Sequence, residues 1–187
     1  MTRTDLAMRL AALTLAAAPS TATSAPANAC DTLPEADAVK LLGAPLPETA
    51  RSQVKPAEEN GNDRQSSCGR FPKGYKLESA QAPPERGILV ELHSLPSADA
   101  ARRFYEGVLD MQTQLASATA GAGIVKIGGL GDGAYLQPTV LPSSMVKIVT
   151  LTFRKGSTVA SVQVWNSVGT VDAVARSAAA QVAAKLP

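Results

Sequence analysis

The sequence predicts an α+β domain, a mostly antiparallel sheet with helices packed on one face, in the order α-β-β-α-β-β-β-α. Three observations predict it. Residues 87–93 alternate Ile88, Val90 and Leu92 with Leu89, Glu91 and His93, the period of a strand. Two more β-rich runs, 146–154 and 157–165, are separated only by Lys155-Gly156, as in a hairpin. Two apolar stripes at three- and four-residue spacing, one through 101–115 and one through 171–186, have the period of amphipathic helices.

Residues 1–29 read as an export leader. Arg3 and Arg9 precede an apolar run over 10–18, Pro19 ends it, and small residues lead to Ala27-Asn28-Ala29, an A-x-A cleavage site. Met8 is an alternative start. The apolar run is too short to span a bilayer as a helix, and no later stretch is long and apolar enough, so no integral membrane span is expected. Cleavage after Ala29 leaves 158 of the 187 residues, and losing Arg3, Arg9 and Asp5 takes the net charge from +2 to +1. A balance so near neutral excludes binding to nucleic acid by bulk electrostatics.

Cys30 then heads the domain, and Cys68 is the other cysteine. In an exported chain an even pair reads first as a disulfide. It closes a loop of 37 intervening residues, worth about 3–4 kcal/mol on the chain-entropy model. A lipid anchor at Cys30 is the lesser alternative, since Ala27 stands where lipid-anchored chains usually carry leucine. The absence of a C-x-x-C pair weighs against redox catalysis.

Thr32-Leu33-Pro34-Glu35 has the form of a capping box, followed by Ala36, Val39 and Leu42 at helical spacing and by Gly43 as the stop. Residues 44–65 carry Pro45, Pro47, Pro56 and the run Asn60-Gly61-Asn62-Asp63, and read as a loop. Residues 66–71 form a short strand with Cys68, and 72–86 a second loop. After the strand at 87–93, Ser97 caps a helix with Asp99 in its first turn. Its stripe holds Ala101, Phe104, Tyr105, Val108, Met111, Gln112 and Leu115, while Arg102, Arg103, Glu106 and Asp110 fall outside. A glycine-rich turn at 128–133, a short strand at 134–137 and a loop at 138–144 precede the hairpin. Thr170 is placed to cap the last helix.

The hairpin tests its own faces. With Lys155-Gly156 as the turn, Phe153 faces Thr158, Leu151 faces Ala160 and Val149 faces Val162 on a mostly apolar side. Thr152 with Val159, Thr150 with Ser161, Ile148 with Gln163 and Val146 with Trp165 make a more polar side. A one-residue slip would mix the two.

Four features together carry a family resemblance: Cys30 ahead of a helix ending Leu41-Leu42-Gly43, then Ser67-Cys68, then Gly129-Leu130-Gly131-Asp132-Gly133-Ala134-Tyr135, then paired strands and a final helix. In these the chain resembles the small exported domains of bacterial lipoproteins, notably the DUF3558-like group. It is also similar to the extracellular sensor domains of some actinobacterial serine/threonine kinases. The resemblance spans most of residues 30–187. It implies an α+β exported domain, often with a cystine, and a sensing or binding role; it implies no catalytic residue.

The glycine-rich run lacks a P-loop lysine and leads into a strand, so it reads as a turn with positive-φ glycines rather than a phosphate cradle. His93 is the only histidine and shares a strand face with Glu91, a pair with the chemistry for acid–base work. No G-x-S-x-G or H-E-x-x-H motif and no acidic metal cluster accompanies it. On a shared sheet Glu91, His93, Gln163 and Trp165 fall on one outer face beside Thr150 and Thr152, a candidate binding face. Trp165 there is either an exposed contact residue or is covered by the loop at 72–86. Arg70, Lys73, Tyr75 and Lys76 read as a solvated loop cluster.

The sequence therefore points to a periplasmic or secreted binding or sensor-like domain without catalytic motif, metal site or cofactor, its partner an unknown small molecule or an envelope protein. Two alternatives stay open: an envelope protein–protein interaction module, and a small hydrolase using His93 and Glu91. An outer-envelope lipoprotein is the lesser alternative for its location.

Overall fold

In the computed structural model, the structure describes residues 28–43, 48–51, 63–71, 86–118, 123–140, 147–166 and 170–187. The elements are helices α1 (Ala29–Thr32) and α2 (Glu35–Leu42), strands β1 (Glu48–Arg51), β2 (Arg64–Phe71) and β3 (Arg86–Ser94), helix α3 (Ala98–Ala118), strands β4 (Val125–Ile127), β5 (Gly133–Val140), β6 (Lys147–Lys155) and β7 (Thr158–Asn166), and helix α4 (Val171–Lys185). The strands make one seven-stranded sheet in the order β1-β2-β3-β7-β6-β5-β4. Every neighbouring pair is antiparallel. The α+β class and the succession of elements are those the sequence predicts, with α1 as an additional helical turn and β1 and β4 as additional short strands at the two edges.

Strand alternation gives the sheet two unlike faces. The inner face carries Ile88, Val90 and Leu92 of β3, Ala160, Val162 and Val164 of β7, and Val149, Leu151 and Phe153 of β6, all buried. α4 lays Val171, Ala175, Ala178, Ala179 and Val182 against it, and Ala29, Leu33, Ala38 and Leu42 of the N-terminal helical region complete the same cluster. Burial of a Val or Leu side chain contributes about 1.5–3 kcal/mol, so this face holds most of the stabilising apolar surface. The expected packing of helices on one face describes α1, α2 and α4. Helix α3 lies over the opposite, outer face, where the Phe104 ring sits 4.8 Å from His93 and Tyr105 sits 5.5 Å from Tyr135.

The disulfide Cys30–Cys68 forms and joins α1 to β2. Ser66, two residues before Cys68 on the same strand face, accepts a hydrogen bond from the Ala29 amide at 3.0 Å. Asn28 caps α1, its side chain accepting from the Cys30 amide. The expected capping box does not form. Thr32 is instead buried inside α1 and donates its hydroxyl to the Ala29 carbonyl, while α2 begins at Glu35 after Pro34 with no side-chain cap. Gly43 ends α2 in the left-handed conformation, as expected.

The hairpin keeps its predicted faces but pairs two residues further along: Lys155 opposes Thr158, Phe153 opposes Ala160 and Leu151 opposes Val162. The turn is therefore Gly156-Ser157. Gly156 takes φ +55°, the positive value that the first position of a primed hairpin turn demands and that Lys155 would adopt only with strain. Asp132, from the glycine-rich turn, fixes this corner. Its carboxylate accepts from the Gly156 amide at 2.9 Å and from Arg154 at 3.0 Å, and its amide donates to the Arg154 carbonyl. Gly129 and Gly131 hold positive φ there, as expected. Lys155 reaches past the turn and donates to the carbonyls of Ala183 and Leu186, satisfying acceptors at the C-terminal end of α4.

Three further expectations are corrected. β1 lies within the stretch 44–65 that reads as a loop, and β2 starts at Arg64 rather than at residue 66. β5 runs through Pro138 instead of stopping at Gln137; β4 pairs only with Ala134, Tyr135 and Leu136, so Pro138 sits where the strand has become an edge. Arg70 is not a solvated loop residue but a buried one on β2, 4% exposed. Lys73, Tyr75 and Lys76 lie outside the described residues.

Candidate functional site

The outer face is built from the other half of each strand. β3 contributes Leu89, Glu91 and His93; β7 contributes Val159, Ser161, Gln163 and Trp165; β6 contributes Ile148, Thr150 and Thr152; β5 contributes Tyr135 and Gln137. The ladders align them: Glu91 opposes Ser161 and His93 opposes Val159, Thr150 opposes Gln163, and Tyr135 opposes Thr152 while Gln137 opposes Thr150.

At one end this face is apolar and closed. Phe71, Leu89 and Trp165 are buried together with Ile148 against them. Trp165 is 7% exposed and meets Phe71 edge-on at 5.4 Å. A Cβ at Gly69 or Gly87 would collide with the Phe71 ring, so these two glycines let the ring lie across the sheet. Trp165 is therefore a packing residue, and it does not line the cavity beside it. Residue 71 supplies part of its cover; the loop expected to do so, at 72–86, lies almost wholly outside the described residues.

Towards α3 the face becomes polar and opens into a cavity of about 160 Å³. Its floor is Glu91, His93, Tyr135, Gln137, Thr150, Thr152, Val159, Ser161 and Gln163, and α3 roofs it with Phe104, Val108 and Gln112. Glu91, His93 and Gln163 of the expected binding face are thus brought together. The roof is lightly anchored. Ser97 caps α3 through the Ala100 amide, and Asp99 pairs with Arg102 and Arg103 on its exposed side. Those arginines, Arg102 by its hydrogen bond first, hold the Asp99 carboxyl below the usual carboxylate range. Among the described residues of α3 only Ala101 is fully buried, and Met111 and Leu115 of the predicted stripe are half exposed.

The polar side chains of the floor are largely unpaired. Glu91, Gln137, Thr150, Ser161 and Gln163 make no side-chain hydrogen bond or ion pair among the described residues. His93 is the exception: its Nδ1 lies 3.0 Å from Asp63 Oδ2. A carboxylate only accepts, so Nδ1 carries the proton in this pair. Asp63 was hidden in the polar run 60–63. The carboxylate the sequence offered to His93 was Glu91, which shares its face without bonding it. No hydroxyl is hydrogen-bonded to His93 among the described residues. No group of three metal-ligating side chains occurs among the described residues.

Tyr135 is buried, and its hydroxyl makes no well-formed hydrogen bond among the described residues. Burial pushes the Tyr135 phenol above the ordinary tyrosine range, with Thr152 acting against this. Burial, reinforced by the charge Tyr135 would carry, does the same to Tyr105, with Arg154 opposing.

The polar members that sequence reasoning did not assign to this face are Asp63, Gln112, Tyr135 and Gln137. Gln112 carried a signal, since it is the one amide in an otherwise apolar helical stripe.

No family model and no curated protein sequence matches the chain. Among solved structures it is similar to the extracellular domain of PknH from Mycobacterium tuberculosis, with 11% identity over 82% of this chain and 91% of that one and a TM-score of 0.49. A likeness of that size bears on neither ligand nor activity.

The raised phenols set a direction for alkaline stability. Below the unfolded tyrosine value of 10.0 both states are protonated and the contribution is fully present. Above it the unfolded chain releases its protons first, so stability falls as pH rises through the folded values. Denaturant titrations are expected to show this fall, to show it less steeply in Tyr135→Phe, and to give that variant an unchanged or higher midpoint at neutral pH. A neutral-pH loss of about 1 kcal/mol or more, the worth of a typical hydrogen bond, would mean that the hydroxyl is well bonded after all.

Proposed function

We propose that the chain is an exported, non-enzymatic binding or sensor-like domain whose ligand site is the cavity between α3 and the outer sheet face. The observation that carries this reading is the set of unpaired polar side chains around that cavity. The Tyr135 hydroxyl is buried there without a partner among the described residues, and the half-buried amides, hydroxyls and carboxylate of the floor, beneath a lightly packed helix, are free to make polar contacts with a group from outside the chain. The disulfide supports export, since such bonds persist in oxidising compartments.

The test is a thermal-shift screen of small polar compounds on the oxidised protein and on Val108→Trp, which fills the cavity from the roof. A ligand at about a hundred times its Kd stabilises a site by roughly 2.7 kcal/mol, a shift of about 5–10 °C for a domain of this size. Hits are expected to raise the midpoint of the wild type and not of Val108→Trp. Equal shifts in both would place the ligand elsewhere on the molecule.

A further inference from the structure

We propose that the ligand of this cavity is a small organic cation, an amine or ammonium compound, held by the Glu91 carboxylate; this rests on the cavity being the binding site. Charge decides the class. Among the described residues the acidic groups at the site are Glu91 on the floor and Asp63 behind His93. No Lys or Arg among the described residues lines the cavity. With His93 neutral the site carries two negative charges, and with His93 protonated it still carries one. A phosphate or carboxylate ligand would bring a like charge against Glu91 in a partly desolvated space. An ammonium group brings donors to a carboxylate that has no partner among the described residues. Gln137, Gln163, Thr150 and Ser161 supply further acceptor oxygens. The aromatic rings of Phe104 and Tyr135 in the lining suit a cation as well. Among the described residues no three metal-ligating side chains gather at the cavity, so a divalent metal ion has no ligand set there. A volume of about 160 Å³ is close to that of a cavity that takes benzene, so the bound portion has on the order of six to eight heavy atoms.

The probes are ethanolamine and choline, with the uncharged tert-butyl isostere of choline and the anion pivalate as controls. They are titrated by NMR into the oxidised wild type, Glu91→Gln and Val108→Trp. Glu91 makes no bond within the described fold, so Glu91→Gln is expected to keep its thermal midpoint. The amines should bind saturably. The uncharged isostere should bind at least about tenfold more weakly, and Glu91→Gln should lose about ten- to a hundredfold in amine affinity, as for a lost charged hydrogen bond. Equal binding of the isostere or of pivalate, or undiminished affinity in Glu91→Gln, overturns the cationic class; the cavity reading survives if Val108→Trp still abolishes binding. Binding indifferent to Val108→Trp overturns both. Failure of both amines to bind at concentrations on the order of 10 mM also overturns the cationic class.

The start of α1 carries a second, independent inference: the leader is cut after Ala27, not after Ala29. Ala29 is wholly buried and its amide bonds Ser66. Asn28 caps α1 and its carbonyl accepts from the Asp31 and Thr32 amides. A cut after Ala29 would delete both residues and place a charged amine beside the disulfide. Ala25-Pro26-Ala27 offers the same small-x-small pattern two residues earlier and keeps them. Cys30, joined to Cys68, has no thiol left to carry a lipid. Intact mass and N-terminal sequencing of the exported protein, without reductant, should give Asn28 as the first residue and two fewer hydrogens than the dithiol. A chain beginning at Cys30, a diacylglyceryl mass or an uncut chain overturns this.

Discussion

The parity shared by β3, β7 and β6 is the constraint on which the rest of the structure depends. Because side chains alternate along each strand, one pairing register places Ile88, Val90 and Leu92 over the same surface as Val162, Val164, Leu151 and Phe153. That register necessarily sends Glu91, His93, Ser161, Gln163, Thr150 and Thr152 to the other side. A slip of one residue would exchange the two sets and put a carboxylate, an imidazole, an amide and three hydroxyls into the core. The same geometric fact makes the core and exposes the polar floor. The inner face has enough apolar surface to hold α4 and the N-terminal helices. The outer face does not, and α3 covers it with space left beneath.

The remaining devices secure that arrangement at its corners. The disulfide and the Ser66 bond hold α1 on β2, so the N-terminal helices close the inner core. Asp132 ties the glycine-rich turn to the β6–β7 turn, and Lys155 ties that same turn to the end of α4. None of these contacts touches the roof. Among the described residues α3 is held by its cap, its surface ion pairs, the buried Ala101 and the rings of Phe104 and Tyr105 against His93 and Tyr135, and surface ion pairs contribute little.

Much of this was legible in the sequence because periodicity reports parity. The face assignment of Glu91, His93, Gln163 and Thr150 needed only alternation, and it stands although the hairpin pairs two residues away from the expected register; a shift by two preserves faces. The shift itself turned on the φ of Gly156, a local conformational demand that composition does not weigh. β1 and β4, Glu-Thr-Ala-Arg and Val-Lys-Ile, are too short and too polar to show a period. A helical stripe tells that α3 packs, not which side of the sheet receives it. Trp165 sits on the polar parity yet is buried, because two glycines admit Phe71 over it. Asp63 escaped notice because a hydrogen bond across thirty residues leaves no local pattern.

Native-state hydrogen exchange tests most directly whether the core lies on the inner face with α3 as a separate roof. If it does, amides through Phe104–Gln112 open independently, with an opening free energy at least about 2 kcal/mol below that of α4 and of the β6–β7 ladder, as expected for a sparsely packed unit. Equal protection of α3, α4 and the central strands would contradict this, and would mean that the outer face is as firmly packed as the inner one.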